Sequence, residues 1–275
     1  MKPAGVDEQL LQRARQAARQ AARRSGRLQI EGLRASRRVE HKGTYDLVTD
    51  VDRRCQEAIV AILQAATPSL PILAEEGAAA SRLPDDGWIV DPLDGTTNYA
   101  HGYPAFCTSL ALRLRGRLEL GVVYEPLRDE LFEARRGRGA TLNGQPISVS
   151  ETTELDQSLL ATGFPYDRLE QPETNLDRFC VMTLRTRGVR RGGSAALDLC
   201  YTACGRLDGF WETRLFPWDV CAGALLVLEA GGRVTGLRGE DYDWSGRDTL
   251  ASNGHLHQAL LQALADLPPE APFFG

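Results

Sequence analysis

Four acidic side chains mark where this chain could do chemistry. Asp91 and Asp94 stand three positions apart in Trp88-Ile89-Val90-Asp91-Pro92-Leu93-Asp94-Gly95-Thr96-Thr97-Asn98. Glu75 follows the apolar run Ile72-Leu73-Ala74, and Asp219 follows Phe216-Pro217-Trp218. Carboxylates packed together repel one another unless cations share the site. Oxygen-only ligands with no nearby His or Cys point to Mg²⁺ rather than Zn²⁺. Gly95, Thr96, Thr97 and Asn98 have the composition of a strand end turning into a helix N-terminus, whose free N–H groups favour an anion. A hard cation beside a phosphate-receptive turn implies phosphoryl transfer. With no Gly-rich ATP loop of the Walker type, hydrolysis is favoured over kinase chemistry. Taken alone, Asp-Pro-Leu-Asp-Gly would also make a plain surface turn.

The elements around these acids must bring them together. Trp88 to Val90 reads as a buried strand, and Pro92 keeps a helix from running through the aspartate pair. Glu75 is offered at the end of a second short strand, so the three acids converge if the strands are neighbours. Asp219 lies in the first turn of a helix closing at Gly231-Gly232, where it could equally serve as a capping acid. Asp46, Asp50 and Asp52 would share one face if residues 46–52 are extended, with a helix from about Asp52 to Ala66 following. Segments 108–114 and 118–124 read as a hairpin, and Asn143-Gly144 is a tight-turn signal. From Ser158 the pattern becomes strand–helix alternation. Residues 175–187 and 255–267 read as helices, Arg190 to Ala196 as a loop entering a helix that runs to about Cys204, and 159–162, 206–212, 233–236 and 249–252 as strands.

At 275 residues, 43% hydrophobic and 25% charged, the chain can bury a large core in one domain or two fused ones. No run is long enough to span a bilayer and no signal-peptide pattern is present, so a cytoplasmic protein is expected. Six scattered cysteines read as free thiols. The net charge of -5 argues against general nucleic-acid affinity. Nine arginines between Arg13 and Arg38, on one long helix or two in series spanning about Asp7 to Arg38, read as a solvated face over a small apolar stripe. An RNA or acidic-partner surface is the other reading. The only lysines are Lys2 and Lys42.

Together these stretches resemble the inositol monophosphatase family. The run Trp88 to Asn98 looks like its main signature, and Pro217-Trp218-Asp219-Val220-Cys221-Ala222-Gly223-Ala224 with Glu229-Ala230-Gly231-Gly232 looks like its second. Ala74-Glu75-Glu76 and Asp46-Leu47-Val48-Thr49-Asp50-Val51-Asp52 match two further motifs in order. The resemblance, from about Lys42 to Ser252, implies a layered α-β-α-β-α sandwich of the α/β class, usually a homodimer. It implies an Mg²⁺-dependent, Li⁺-sensitive phosphomonoesterase. Residues 1–150 would carry most metal ligands, and 151–275 would supply Asp219 and the substrate contacts. By position, Glu75, Asp91 and the Leu93 carbonyl would bind one metal, and Asp91, Asp94 and Asp219 a second. A third would lie near Glu75 and a mobile loop bearing Lys42 and Asp46. Glu75 and Thr96 would activate water, with Asp52 hydrogen-bonded to Thr96. Gly95 and Thr96 N–H groups would hold phosphate.

Gly193, Ser194 and Ala195 match the loop lining the sugar side, and Glu212 matches an acid that reads substrate hydroxyls. Inositol 1-phosphate is the foremost substrate on this resemblance. Glu212 could instead pair with Arg214 at the surface. Arg190-Arg191 could supply a second phosphate contact, which keeps fructose bisphosphate open. A regulatory protein that binds transcription machinery or RNA through the Arg-rich helix is the alternative of another class.

Overall fold

The computed structural model describes residues 7–34, 39–41, 47–77, 83–167, 170 and 173–266. Lys42 and Asp46 lie outside them. The first half runs α1 (Glu8–Arg34), β1 (Val39–His41), β2 (Leu47–Thr49), α2 (Asp50–Ala66), β3 (Ile72–Ala74), β4 (Gly87–Asp94), α3 (Thr96–His101), β5 (Cys107–Leu114), β6 (Arg117–Glu125), β7 (Glu130–Arg135), β8 (Ala140–Leu142) and β9 (Gln145–Ile147). The second runs β10 (Leu159–Thr162), α4 (Leu176–Arg185), β11 (Gly188–Arg190), α5 (Ala195–Ala203), β12 (Gly209–Thr213), α6 (Pro217–Glu229), β13 (Arg233–Thr235), β14 (Asp248–Ser252) and α7 (His257–Ala265).

Strands β3 to β9 form one sheet in chain order, antiparallel except for the β3–β4 pair. Its tight turns follow from residue type. Arg115-Gly116 and Asn143-Gly144 both take positive φ at two successive residues, which a two-residue hairpin of matching twist requires. A smaller sheet has the order β11-β10-β12-β14-β13. In it β10 runs parallel to β11 and β12, while β14 opposes β12 and β13.

Helices α1 and α2 cover the outer face of the large sheet, α5 and α6 fill the space between the sheets, and α4 and α7 cover the small sheet. This is the α-β-α-β-α layering expected. The apolar run of β4 shows why it is buried on both faces. Trp88 and Val90 pack toward α1 and α2, and Ile89 toward α5 and α6.

The arginines of α1 have internal work. Arg15 and Arg19 both pair with Glu133 of β7, which is buried, and Arg23 pairs with Asp129. Removing both guanidiniums would leave the Glu133 carboxylate without a counter-ion, a destabilising change. Beneath them Ala14, Ala17, Ala18, Ala21 and Ala22 form a buried small-residue stripe. All six cysteines are free. Among the described residues no helix is long and apolar enough to cross a membrane.

Three local expectations are corrected. Strand β4 does not stop at Val90 but continues to Asp94, because Pro92 sits in a register shift where no ladder N–H is demanded of it. Asp50 and Asp52 are not on an extended face: α2 already begins at Asp50, so both belong to its first turn. Strand β12 begins at Gly209 rather than Arg206, because Arg206 and Leu207 N–H groups still close a turn onto the Tyr201 carbonyl.

Candidate active site

The register shift in β4 is the first device that builds the site. Asp91 is paired with Ser109 and Asp94 with Cys107, so one extra residue is accommodated between them. The Pro92 carbonyl exposed by the bulge turns away from the cleft. There it accepts hydrogen bonds from Gln29 Nε2 (2.9 Å), Ser25 Oγ (3.1 Å) and Thr108 Oγ1 (3.1 Å), all buried. Asp91 Oδ1 accepts the Leu93 N–H at 2.9 Å, a local turn that fixes its carboxylate. Beside it, the Glu75 N–H donates to the Val90 carbonyl at 3.0 Å, so the end of β3 sets Glu75 next to Asp91.

Gly95 follows at φ 93°, a left-handed conformation, and a Cβ there would meet the Ala105 carbonyl at 2.8 Å. The chain then enters α3. Thr96 Oγ1 donates to Asp52 Oδ1 and to the Leu93 carbonyl, both at 3.0 Å. The Thr96–Asp52 contact read from the sequence is therefore present, and it ties α2 to the turn.

Asp219 arrives from α6. Its Oδ2 accepts the Phe216 N–H at 2.8 Å, which closes the helix's first turn. Ser109 Oγ, opposite Asp91, donates to the Trp218 carbonyl at 3.1 Å and so pins that turn against β5. Asp94 meets the N-terminus of α5. Its Oδ2 accepts Ser194 Oγ (2.5 Å) and the Ala196 N–H (2.8 Å), while Ser194 Oγ accepts the Leu197 N–H. Ser194 thus holds Asp94 rather than standing open to the cleft.

Electrostatics follow from this crowding. Burial, then the charges of Glu75, Asp94 and Asp219, pushes the Asp91 carboxyl well above the usual range. Burial and the charges of Asp94 and Glu75 do the same to Asp219. Burial raises Asp94 only to about 6, because the donors of Ser194, Ala196, Cys107 and Ala195 oppose it. Among the described residues, no group of three or more His, Cys, Asp or Glu side chains stands close enough together to hold a metal ion. The donor set still suits a hard cation: it is all oxygen, and burial together with the neighbouring negative charges raises Asp91 and Asp219.

On the other side of the cleft Glu212 lies against Gly163, where a Cβ would overlap its carboxylate. It does not pair with Arg214, which is held by Asp167. Burial lifts Glu212 to about 8 against the opposing charge of Arg191. Asp198, buried on α5, is raised well above the usual range by burial and by Glu212 and Asp94. Arg191 reaches over the Gly193 turn, where a Cβ would meet its Nη1 at 2.6 Å. Asn98 Nδ2 joins the two sides, donating to the carbonyls of Ala105 (2.7 Å), Gly192 (2.9 Å) and Gly193 (3.2 Å).

The sequence model of the inositol monophosphatase family matches residues 10–268. The chain belongs to the inositol monophosphatase family. It is 48% identical to an inositol-1-monophosphatase of Synechocystis sp., over 84% of this chain and 81% of that one. It is 44% identical to a protein named Nus factor SuhB in Pseudomonas aeruginosa, over 84% and 88%. The solved structure of inositol monophosphatase from Anabaena (Nostoc) sp. superimposes with a TM-score of 0.82 at 44% identity, covering 92% and 96%. Membership makes the chain a phosphomonoesterase of a generally metal-dependent family.

Within this site, sequence reasoning missed four features. Gly163 follows β10 and carries no chemistry of its own. Asp198 had a readable signal, a lone charge in the apolar run Ala195 to Ala203. Asn98 stood inside the quoted signature, with nothing to say which carbonyls it would reach. Ser25, Gln29 and Thr108 carry no signal, since their partner is a main-chain oxygen.

Proposed function

We propose that this chain hydrolyses a phosphate monoester of a polyol, inositol 1-phosphate foremost, with Mg²⁺ as its cofactor. The supporting observation is the gathering of Asp91, Asp94 and Asp219 with Glu75 beside the Gly95–Thr96 turn, at the end of the cleft opposite Glu212. Glu75, Asp91 and the Leu93 carbonyl would hold one cation, and Asp91, Asp94 and Asp219 another. A third would lie near Glu75, Lys42 and Asp46. When bound, the cations would offset the repulsion among the acids, neutralise the ester and make a water acidic near neutral pH.

The chain's own groups would do the positioning. The Gly95 and Thr96 N–H groups would hold the phosphate oxygens. Thr96 Oγ1 has its proton committed to Asp52 and Leu93, which leaves its lone pairs to accept from the attacking water and aim it. Glu75 would take that water's proton. Glu212 would accept two hydrogen bonds from neighbouring hydroxyls, with Gly193 and Ala195 lining the same side.

Arg191 supports a second reading, because its charge faces Glu212 and Asp198 and could bind the far phosphate of fructose bisphosphate. The test is phosphate release with Mg²⁺, with and without Li⁺, from inositol 1-phosphate, fructose bisphosphate, histidinol phosphate and adenosine bisphosphate. Preference for inositol 1-phosphate with Li⁺ inhibition is expected; preference for fructose bisphosphate would transfer the assignment to the Arg191 reading. A homodimer is part of the proposal, checked by light scattering. A role in binding transcription machinery has less support, since Arg15, Arg19 and Arg23 of α1 are already held by Glu133 and Asp129.

A further inference from the structure

A second cavity, of about 350 Å³, lies on the far side of the small sheet from the acidic cleft. Its walls come from five places: Glu173 and Arg178 at α4, Thr213 on β12, Leu237 and Arg238 after β13, Asp248 on β14, and Leu261, Leu264 and Ala265 on α7. Thr213 and Asp248 are cross-strand partners. The hydroxyl of Thr213, a residue only 3% exposed, is buried with no hydrogen-bond partner, and so is Arg178 Nε. Among the described residues Glu173, Arg178, Arg238 and Asp248 form no side-chain ion pair with one another or with any neighbour.

Buried polar atoms are ordinarily satisfied, and the Thr213 hydroxyl and Arg178 Nε here are not, while Glu173, Arg238 and Asp248 stand exposed at the cavity's mouth. Two cations and two anions around one small space, left apart from one another, suit a guest that carries both signs. A singly charged guest would be attracted by one pair and repelled by the other. Leu237, Leu261 and Leu264 offer an apolar wall on the same cavity. The volume is at the low end for ligand sites, the size of a small metabolite.

We propose that this cavity binds an α-amino acid with an apolar side chain, its carboxylate toward Arg178 and Arg238, its ammonium toward Asp248 and Glu173, and that β12 transmits occupancy to the active site. Successive side chains of a strand point to opposite faces. Thr213 faces the cavity, and Glu212, the residue before it, faces the cleft. A guest that shifts β12 therefore shifts Glu212, the carboxylate that reads the substrate in the function proposed above, on which this coupling rests.

The experiment is isothermal titration calorimetry of the full chain with L-leucine, 4-methylpentanoate and isopentylamine, the last two lacking the ammonium and the carboxylate. Saturable binding of L-leucine, at least about tenfold weaker binding of both analogues, and loss of binding in Arg178→Ala and Asp248→Asn are expected. Both variants should keep their fold, checked by circular dichroism, and their basal phosphatase rate. Steady-state kinetics with and without L-leucine should show a changed KM in the parent chain and none in the variants. No saturable binding, equal binding of the analogues, or binding that survives both substitutions overturns the site. Binding without any change in KM overturns the coupling through β12.

Discussion

Gly163→Ala is the sharpest perturbation of the proposed substrate side, because it moves one carboxylate and little else. The glycine is not in the left-handed region, so alanine fits its backbone without strain. The added methyl would overlap the Glu212 carboxylate, the free end of a flexible side chain, which must swing away. The Gly163 carbonyl would keep its bond from Asn175 Nδ2 at 2.7 Å. Stability should therefore hold or rise by about 0.4–1 kcal/mol through the unfolded chain. At pH 9, above the value of about 8 to which burial lifts Glu212, displacing it removes hydrogen bonds from substrate hydroxyls to a charged acceptor, worth roughly 1.5–3 kcal/mol, which is about 10- to 150-fold in kcat/KM.

The assay is steady-state phosphate release from inositol 1-phosphate, with p-nitrophenyl phosphate as a control ester that has no polyol. The loss should fall on the polyol ester and leave the control within about threefold. In a Glu212→Ala background, Gly163→Ala should add nothing, since its only target is gone. Wild-type kcat/KM in Gly163→Ala, or additive losses in the double variant, would refute the claim that Glu212 reads the polyol from its place against Gly163.

Asn98→Ala should raise KM by about 10-fold and lower stability by about 1–3 kcal/mol, because three carbonyls from two loops lose their shared donor; an unchanged KM and Tm would sink that role. Asp91→Asn should move two measurements in opposite directions. Turnover at saturating Mg²⁺ should fall by orders of magnitude, while the Tm of the metal-free chain at pH 8 should rise, since the raised Asp91 carboxyl costs stability once pH forces it to ionise. Buried His257 lies between Thr235 Oγ1 (2.9 Å) and Ser252 Oγ (2.8 Å), and burial pushes it down from 6.5 to about 4. The unfolded chain binds that proton first, so the contribution is complete above about pH 6.5 and is lost as pH falls to about 4, at most about 3 kcal/mol. Urea melts of wild type and His257→Gln should converge over that interval, and parallel curves would show that His257 does not titrate as described.

How far the chain could be read depends on whether a feature is local. The hairpin at Asn143-Gly144 needs only two residues willing to take positive φ, and the doubly buried β4 needs only an unbroken apolar run; both are written where they occur. The acids at element ends were legible for the same reason. The bulge at Pro92 was not, because its cause lies elsewhere: Ser25 and Gln29 are 67 and 63 positions away from the carbonyl they hold. Glu212 against Gly163 was also hidden. The contact exists because β10 and β12 pair in parallel, with Thr162 beside Trp211, and nothing within either strand names the other as partner.

The same distinction explains why the acids of this site are arranged in opposed pairs of device and cost. Asp91 and Asp94 come from the large sheet, yet the groups that steady Asp94 come from the N-terminus of α5, and the helix that brings Asp219 is pinned by Ser109 of β5. Docking α5 and α6 onto the large sheet therefore brings stabilising donors and a repelling carboxylate together. Asp94, which receives the donors, rises only to about 6, whereas Asp91 and Asp219, which receive fewer, rise further. The contacts that fold these layers together leave an excess of negative charge at their junction, and a bound cation would remove it. Cation affinity and the packing of α5 and α6 should thus be linked quantities: a substitution that loosens α5 at Ser194 should weaken both.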